Sequence, residues 1–365
     1  MRTKLAFIIP TMDLGGAEKQ LCLLAENLPQ DEFEIRVFLL TRDGPRSARL
    51  REAGISVTLI GKRFKLDLSS LVRLRRSLKE FKPDIVHTWL FAANSFGRLA
   101  AKLAGVQTIL ASERCVDPWK TPFHLWIDRY LAKSTKFITT NSGGVRDFYV
   151  SRGIAPEQFE LIPNGIEERK STSISRSEAF ERLNVDPSKK LVLAVGRLWP
   201  QKRYRDLIWA AEMLDTLRED LSLVIIGDGP QRAELMRYRD SVTRVERVRF
   251  AGSRDDVASL LPHAEQFWIG SEYEGQSNSL IEAMQARVPV VASDIPGNRD
   301  LVIDHQTGRL FPMGDMASLA RCAQWIFENP TAAKGLAVAA ETRISEEFTV
   351  DNMVARHVAL YRRTL

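Results

Sequence analysis

Short apolar runs alternate with amphipathic stretches along almost the whole chain, and this alternation most constrains the fold. Runs rich in Ile, Val and Phe predict strands, and apolar residues three or four positions apart predict helices. In the first half the predicted strands are Lys4–Ile9, Glu34–Leu40, Ile55–Ile60, Asp84–His87, Thr108–Ala111 and Lys136–Thr140, and the predicted helices are Ala17–Leu28, Leu68–Phe81, Ser95–Ala104 and Phe123–Ala132. Such alternation is typical of a mostly parallel, doubly wound sheet.

The alternation stops once and then restarts. The run Glu167–Ser177 is polar and has no apolar period, and a new strand begins at Lys190. A chain of 365 residues is also too long for one typical core. We therefore expect an α/β protein with two Rossmann-like, doubly wound domains, residues 1–168 and 169–347, facing across a cleft.

Composition places the chain among ordinary globular proteins, with 44% hydrophobic and 27% charged residues. No apolar run approaches the length that spans a bilayer. The three cysteines, Cys22, Cys115 and Cys322, are scattered, which favours a reducing compartment. The five histidines show no metal-ligand spacing. We expect a cytoplasmic protein without a metal site.

Positive charge is concentrated in the first half. Residues 1–168 carry 25 Lys and Arg against 19 Asp and Glu, whereas the remainder carries 27 of each. The segment Lys62–Lys82 interleaves eight of these cations with leucines, as a basic amphipathic helix does. Peripheral association with the anionic inner face of a membrane is one interpretation, and a solvated helix on a sheet is the other.

Two features of the first half stand at the predicted ends of strands, where open α/β sheets bind ligands. Gly15 and Gly16 join the first strand to the first helix, and a glycine pair lets the backbone approach a phosphate closely. His87 ends a later strand and could bond a substrate hydroxyl or phosphate near neutral pH, although the strand considered alone favours a structural histidine with its hydrogen bonds satisfied. The dinucleotide fingerprint G-x-G-x-x-G is absent, which disfavours an oxidoreductase.

Arg197 and Lys202 follow the first strand of the second half, in the stretch from Gly196 to Tyr204. The guanidinium of Arg matches phosphate oxygens with a planar fork, and Lys supplies a compact charge. Together they could neutralise a leaving diphosphate without a metal. The alternative is that both are ordinary surface cations.

A further stretch, Tyr273–Met284, combines two glutamates with a predicted helix start. Glu274 follows an apolar strand and Glu282 lies inside the helix. The residues between them predict a helix N-terminus, whose free N–H groups and positive dipole end bind anions. Acceptor groups on each side of an anion site suit a nucleotide sugar, which has a sugar, a diphosphate and a ribose. A capped surface helix is the simpler reading.

Taken together, the motifs resemble glycosyltransferase family 4, the retaining group 1 glycosyl transferases of GT-B fold. The ordered set spans nearly the whole chain and departs from the family pattern at two points, where Trp89 replaces a second histidine and Arg287 a usual glycine. The residues that carry the resemblance are Gly15-Gly16-Ala17-Glu18, Ile162-Pro163-Asn164-Gly165-Ile166, Gly196-Arg197-Leu198 with Gln201-Lys202, Gly227-Asp228-Gly229-Pro230, Glu274-Gly275 with Asn278-Ser279 and Glu282-Ala283-Met284, and Val288-Pro289-Val290-Val291-Ala292 with Gly297.

The resemblance implies a role for each motif residue. His87, Glu274, Arg197 and Lys202 would be catalytic, with Glu274 on the sugar hydroxyls and both cations on the diphosphate. The remaining donor contacts would be Gly15, Gly16, Asn278, Ser279 and Leu280 near the phosphates and Glu282 on the ribose. Residues 1–168 would bind the acceptor and 169–347 the nucleotide sugar, and a helix in residues 348–365 would cross back to the first domain.

The expected reaction moves a hexose from a nucleotide sugar to a glycan, lipid-linked or small-molecule acceptor, in cell-envelope or polysaccharide synthesis. No cofactor is expected; UDP-sugars are favoured over GDP- or ADP-sugars as the co-substrate. No residue suits the covalent nucleophile that retention often uses. A same-face displacement, in which the leaving phosphate takes the acceptor proton, fits better.

Two other functions stay open on the sequence alone. A nucleotide-sugar epimerase or hydrolase of the same fold would need no second acceptor. A non-catalytic module that binds anionic lipid would account for the basic first half, but not for cations and glutamates gathered at strand ends of the second half. Nucleic-acid binding is not expected for the same reason.

Overall fold

A computed structural model describes residues 2–168 and 174–365. It divides the chain into two compact units, one formed by Met1–Gly165 with Phe348–Leu365 and the other by Ile166–Glu347. The predicted linker Glu167–Ser177 falls partly on residues 169–173, which lie outside the described residues.

The first unit is built on a parallel sheet. Its described strands are β1 (Thr3–Ile9), β2 (Phe33–Leu39), β3 (Ser56–Leu59), β4 (Ile85–Trp89), β5 (Thr108–Glu113), β6 (Phe137–Thr140) and β7 (Phe159–Leu161), in the order β3-β2-β1-β4-β5-β6-β7. Its helices up to residue 165 are α1 (Gly16–Asn27), α2 (Arg46–Glu52), α3 (Leu68–Phe81), α4 (Leu90–Ala104), α5 (Pro122–Ala132) and α6 (Gly143–Val150), with a 3-10 turn at Pro156–Gln158. The order reverses between β1 and β4, which is the switch point of a doubly wound sheet.

Helices cover both faces of this sheet, because alternate residues of its strands are apolar on each side. One face joins Phe7 of β1 to Leu24 of α1, and the other joins Ile8 of β1 to Leu78 of α3. The predicted helix Leu68–Phe81 is confirmed at both ends. Asp67 caps it by accepting a hydrogen bond from the Ser70 N–H, and Lys82 ends it in the left-handed conformation at φ 53°.

The second unit repeats the plan. Its described strands are β8 (Lys190–Val195), β9 (Leu221–Ile226), β10 (Val248–Gly252), β11 (Gln266–Ile269), β12 (Val290–Ser293) and β13 (Arg309–Phe311), all paired in parallel in the order β10-β9-β8-β11-β12-β13. Its described helices are α7 (Arg176–Leu183), α8 (Tyr204–Asp215), α9 (Arg232–Val242), α10 (Val257–Leu260), α11 (Asn278–Gln285), α12 (Pro296–Arg299), α13 (Met316–Glu328) and α14 (Pro330–Glu347), with 3-10 turns at Pro200–Lys202 and Leu261–His263. Its switch point lies between β8 and β11.

The last helix, α15 (Val350–Thr364), belongs to the first unit and packs on α1. Met353 and Tyr361 are buried in the same apolar cluster as β1 and α1. The first core is therefore assembled from two segments that are distant in sequence.

The doubly wound, parallel α/β architecture predicted from the alternation is confirmed in both units. One boundary was wrong in a way that matters for function. The predicted strand Asp84–His87 instead runs Ile85–Trp89, and α4 begins at Leu90 rather than Ser95. Thr88 and Trp89 are fully buried and continue the ladder with β5, so His87 sits in the middle of the strand.

Candidate functional site

The carboxyl end of β8 leads into a tightly held turn that presents Arg197. Leu198 is fully buried, and its N–H donates to the carbonyl oxygen of Asp228 over 2.9 Å. A Cβ on Gly227 would lie 2.0 Å from the carbonyl oxygen of Gly196, so glycine is required where these two loops meet. Arg197 itself is exposed, with its guanidinium 5.5 Å from the centre of the Trp199 ring.

Lys202 ends the 3-10 turn that follows, just before α8. Its Nζ forms an ion pair with Oε1 of Glu274, which belongs to the loop after β11. The same carboxylate oxygen accepts a hydrogen bond from Oγ of Ser271 over 2.7 Å. The side chains of Lys202 and Glu274 are 14% and 10% exposed, so the pair is largely shielded yet reachable. The structure thus brings together two of the predicted catalytic residues.

Helix α12 packs directly against the backbone of the Glu274 loop. A Cβ on Gly297 would lie 1.9 Å from the carbonyl oxygen of Gly275, so the two backbones touch. Ser293 Oγ donates to the carbonyl oxygen of Ser271 over 2.6 Å and fixes the start of the same loop. These contacts fix the backbone of the Glu274 loop before any ligand arrives.

Helix α11 begins at Asn278, directly after this loop, as predicted. The N-cap residue Ser277 accepts no hydrogen bond from the first turn through its side chain. Ser279 Oγ donates to the carbonyl oxygen of Val195 over 2.9 Å, which ties the helix start to the end of β8. Leu280 is buried below it, and Glu282 is half-buried further along the helix. The positive end of the helix dipole therefore lies at the carboxyl edge of the sheet, near the Arg197 turn.

Burial and the negative charge of Glu274 change the pKa of a neighbouring tyrosine at this edge of the sheet. Tyr204, the first residue of α8, is buried, and burial followed by the negative charge of Glu274 raises the pKa of its hydroxyl above the usual value. Tyr204 therefore stays neutral. Sequence reasoning missed Tyr204 and Ser271. Ser271 could have been found, because it lies directly beyond a predicted strand and three residues before Glu274.

In the first unit, the glycine pair does form the turn from β1 to α1, with Gly15 at the N-cap. Two carboxylates lie close to this turn. Thr11 Oγ1 lies 3.1 Å from an Asp13 carboxylate oxygen and 3.4 Å from one of Glu18, within reach of a hydrogen bond to either, and a Cβ on Gly15 would lie 2.1 Å from a Glu18 oxygen. Negative charge beside Gly15 and Gly16 does not favour a phosphate in this arrangement.

His87 lies in the interior of the first unit and has no exposed surface. Its Nδ1 is 2.9 Å from the Tyr361 hydroxyl and its Nε2 is 3.3 Å from Thr139 Oγ1. Burial, and to a smaller extent the electrostatic effects of the neighbouring His357 and Arg114, hold its pKa well below the usual range. This geometry matches the structural interpretation, in which a neutral histidine joins β4 to α15. It gives His87 no surface for a substrate within this unit.

Within residues 2–168 and 174–365, no group of three or more His, Cys, Asp and Glu side chains is arranged to hold a metal ion. None of the helices in this part of the chain combines the length and apolar character needed to cross a bilayer.

Two family models match the chain. Residues 14–170 match Glycosyltransferase Family 4, and residues 175–343 match Glycosyl transferases group 1. The second match contains the whole Arg197–Glu282 site, and the first contains the Gly15–Gly16 turn.

Curated relatives are similar over most of their length. An Escherichia coli UDP-Gal:alpha-D-GlcNAc-diphosphoundecaprenol alpha-1,3-galactosyltransferase is 28% identical over 84% of this chain and 83% of its own. A Campylobacter jejuni 4-alpha-N-acetylgalactosaminyltransferase, which acts on a diphospho-undecaprenol substrate by its name, is 26% identical over 93% and 94%. These relatives are transferases, so the epimerase, hydrolase and binding-module alternatives gain no support.

The solved structure of Anabaena HepE in complex with UDP-glucose superimposes with a TM-score of 0.89 at 22% identity, over all of both chains. A Rickettsia africae glycosyltransferase gives a TM-score of 0.85 at 17% identity, over 100% of this chain and 99% of that one. At these identities the likeness establishes the fold. With its motifs in family order and its two halves matched by the two models, the protein belongs to glycosyltransferase family 4, the group 1 glycosyl transferases of GT-B fold, and is a hexosyltransferase.

Proposed function

We propose that the protein transfers a hexose from a UDP-sugar to a diphosphate-linked lipid acceptor in cell-envelope synthesis, with retention of the anomeric configuration. The observation that carries the proposal is the Lys202–Glu274 pair, which lies at the sheet edge where α11 begins. Support for the donor comes from HepE, which binds UDP-glucose. Support for the acceptor comes from the relatives named for diphosphoundecaprenol substrates.

The donor diphosphate would be held by Arg197, Lys202 and the first-turn N–H groups of Asn278, Ser279 and Leu280. As the glycosidic bond breaks, negative charge grows on the diphosphate, and donors fixed in advance stabilise that charge most in the transition state. Glu274 would accept hydrogen bonds from the sugar hydroxyls and Glu282 from the ribose. Because two cations and a helix end carry the charge, the proposal requires no metal cofactor, and transfer should persist in EDTA.

The acceptor hydroxyl would attack from the face that the diphosphate leaves. The bond from the anomeric carbon to the phosphate oxygen breaks, the bond to the acceptor oxygen forms, and the departing phosphate oxygen takes the acceptor proton. Glu274 orients the sugar and makes no covalent bond in this scheme. Trapping of a glycosyl–enzyme adduct on any side chain would contradict it.

We also propose that the basic segment Lys62–Lys82 brings the protein to the anionic surface where such an acceptor resides. Arg63, Lys65, Arg76 and Lys79 are exposed, and none forms an ion pair with another described residue. Flotation with anionic vesicles should weaken when these four residues are changed to Glu. Equal flotation of this variant and wild type would refute this part of the proposal.

The function is tested first by ligand-dependent stability. Purified protein is screened with UDP, GDP, ADP and their common sugars, because a ligand bound only by the folded state raises the unfolding midpoint. We expect the largest shift with UDP or a UDP-sugar, and its loss in Lys202→Ala but not in Arg205→Ala, an exposed arginine on α8. A larger shift with GDP or ADP would overturn the donor assignment.

A further inference from the structure

Helix α5 of the first unit carries an exposed row of aromatic rings. Phe123, Trp126 and Tyr130 are 65%, 54% and 48% exposed and lie on one side of the helix. Their rings stack nearly parallel, with centres 6.1 Å apart between Phe123 and Trp126 and 5.7 Å apart between Trp126 and Tyr130. The helix buries its opposite side through Leu131 and Ala132. The row is therefore not the core-facing stripe of an ordinary amphipathic helix.

The row continues onto neighbouring residues. At one end Trp119, 53% exposed, has its ring 5.5 Å from His124 of α5. At the other end Lys102 of α4 places its Nζ 5.4 Å from the centre of the Tyr130 ring. Lys102 is flanked on α4 by the exposed Leu99 and Leu103. We call the set Trp119, Phe123, Trp126, Tyr130, Leu99 and Leu103 the aromatic face.

Single exposed apolar side chains are ordinary on protein surfaces, but a contiguous group of this kind marks an interaction site. Trp and Tyr have an apolar ring body and a polar tip. They are enriched where one side of a surface is apolar and the other wet, as at the boundary of a bilayer. The composition of the aromatic face matches that boundary.

Positive charge lies directly beside the aromatic face. Helix α3 packs on α4, and Nε of Arg75 donates to the carbonyl oxygen of Leu103 over 2.8 Å. The basic segment Lys62–Lys82 thus adjoins the aromatic face, with eight cations against two carboxylates. It also exposes the apolar side chains of Phe64, Leu66, Leu68 and Val72. Cations beside aromatic and aliphatic side chains complement anionic lipid headgroups above acyl chains.

The same positive charge argues against a second copy of the chain as the binding partner of the aromatic face. A twofold dimer places the same patch of each subunit against the other. Two uncompensated basic segments would then meet, and like charges brought together disfavour association. An anionic bilayer satisfies both the aromatic and the cationic parts of the surface.

We propose that the aromatic face inserts into the interface of an anionic bilayer, with the basic segment lying on the headgroups, and that it fixes the orientation of the first unit on the membrane. Electrostatic attraction alone would hold the protein loosely and would be screened by salt. Buried rings add a contribution that salt does not remove. This inference rests on the proposed membrane association of the basic segment, but it requires neither the donor nor the acceptor assignment made above.

The test is binding of the full-length protein to vesicles of phosphatidylglycerol and phosphatidylcholine, compared with phosphatidylcholine alone. Trp126→Ala and Phe123→Ala should each lower the partition coefficient about five- to tenfold, because each removes a buried ring worth about 1–1.5 kcal/mol. Trp126→Phe should retain most of the binding. The matched control is Trp209→Ala, which removes a 39% exposed tryptophan from α8 of the second unit and should leave binding unchanged.

Binding to vesicles at high salt separates the contribution of the aromatic rings from that of the basic segment. Wild type should keep a measurable fraction on the vesicles when salt screens the basic segment, and Trp126→Ala should lose it. Absence of wild-type binding to anionic vesicles would overturn this inference and the proposed role of the basic segment together. Wild-type binding that Trp126→Ala keeps in full, or that Trp209→Ala loses to the same extent, would overturn this inference alone. It is also overturned if the aromatic variants only convert a dimer to a monomer. Unchanged UDP-dependent stability in the same variants separates this outcome from failure of the donor proposal.

Discussion

Lys202 and Glu274 form an ion pair although 72 positions separate them in the sequence. The cation assigned to the donor diphosphate is therefore already neutralised by the carboxylate assigned to the donor sugar. When a nucleotide sugar binds, the diphosphate would take over Lys202 and free Glu274 to turn toward the sugar. The pair couples recognition of the two halves of the donor, and this coupling can be measured.

Glu274→Gln should separate nucleotide binding from transfer. The substitution frees Lys202, so UDP should bind as tightly as to wild type or more tightly, while the rate of transfer falls about 100-fold through loss of a positioned acceptor. Calorimetry with UDP and a radiolabelled transfer assay report the two quantities. The control is Glu272→Gln, an exposed glutamate two positions earlier. A loss of UDP affinity equal to the loss of rate would contradict this coupling.

Gly297→Ala should displace the Glu274 loop, because Gly297 lies directly against its backbone. The new methyl group would collide with the carbonyl oxygen of Gly275, at 1.9 Å, so the Glu274 loop must shift. We expect a loss of about 1–3 kcal/mol in the free energy of unfolding and a loss of transfer in the protein that still folds. Gly335→Ala is the matched control, because its Cβ meets nothing within 4 Å in the middle of α14. It should stabilise the protein by about 0.5–1 kcal/mol.

The buried histidines should make stability depend on pH. Burial lowers the pKa of His357 to about 3, and the pKa of His87 is also well below its usual value. A histidine with a depressed folded-state pKa binds a proton more readily when unfolded. Stability is therefore full above the ordinary pKa of about 6.5 and falls below it, by about 1.4 kcal/mol per pH unit for each histidine.

Urea unfolding between about pH 7.5 and 5.5 measures this slope. Burial raises the pKa of Glu113 to about 7, and this carboxyl favours the folded state at lower pH, so the informative quantity is the change made by a variant. His357→Gln should reduce the dependence of the free energy of unfolding on pH by the contribution of one histidine. His305→Gln, which changes a histidine with a 64% exposed side chain, should not. Identical slopes in wild type and His357→Gln would mean that His357 is not held neutral.

Arg287→Gly should stabilise the protein. Arg287 has φ 57°, in the left-handed region that costs a side chain about 1–2 kcal/mol and a glycine almost nothing. The ion pair it makes with Glu341, at 3.2 Å, is exposed and contributes little. Arg287→Ala removes the same ion pair but keeps the strain, so the glycine variant should melt at a higher temperature than the alanine variant. The reverse order would show that φ strain does not matter here.

Much of the second unit's site was predictable because strand ends can be located from apolar runs. Arg197, Glu274 and the start of α11 all follow from that rule. The ion pair with Lys202 did not follow, because sequence spacing does not specify which side-chain rotamers meet across a loop. The sequence placed His87 at the end of its strand, but β4 continues to Trp89. The polar residues His87 and Thr88 look like the end of an apolar run, although both are buried inside the strand. The His87 partner Tyr361 lies 274 positions away and gives no local signal.

The aromatic row on α5 shows a different limit. Phe123, Trp126 and Tyr130 have the spacing of a core-facing stripe, and periodicity alone cannot distinguish a buried side from an exposed one. The buried side is decided by Leu131 and Ala132, which pack below the helix. Only the arrangement of neighbouring helices reveals that the larger rings point outward.

The placement of α15 in the first unit has a consequence for synthesis on the ribosome. Residues 348–365 supply Tyr361 and His357 to the first core, but 182 residues of the second unit, 166–347, are translated before them. At about 5–20 residues per second, the first unit waits roughly 10–40 s for its last helix. During that interval the pocket around His87 and Phe33 lacks its cover. The nascent first unit therefore exposes apolar surface of the kind that aggregates unless it is protected, while the second unit can complete its own core first.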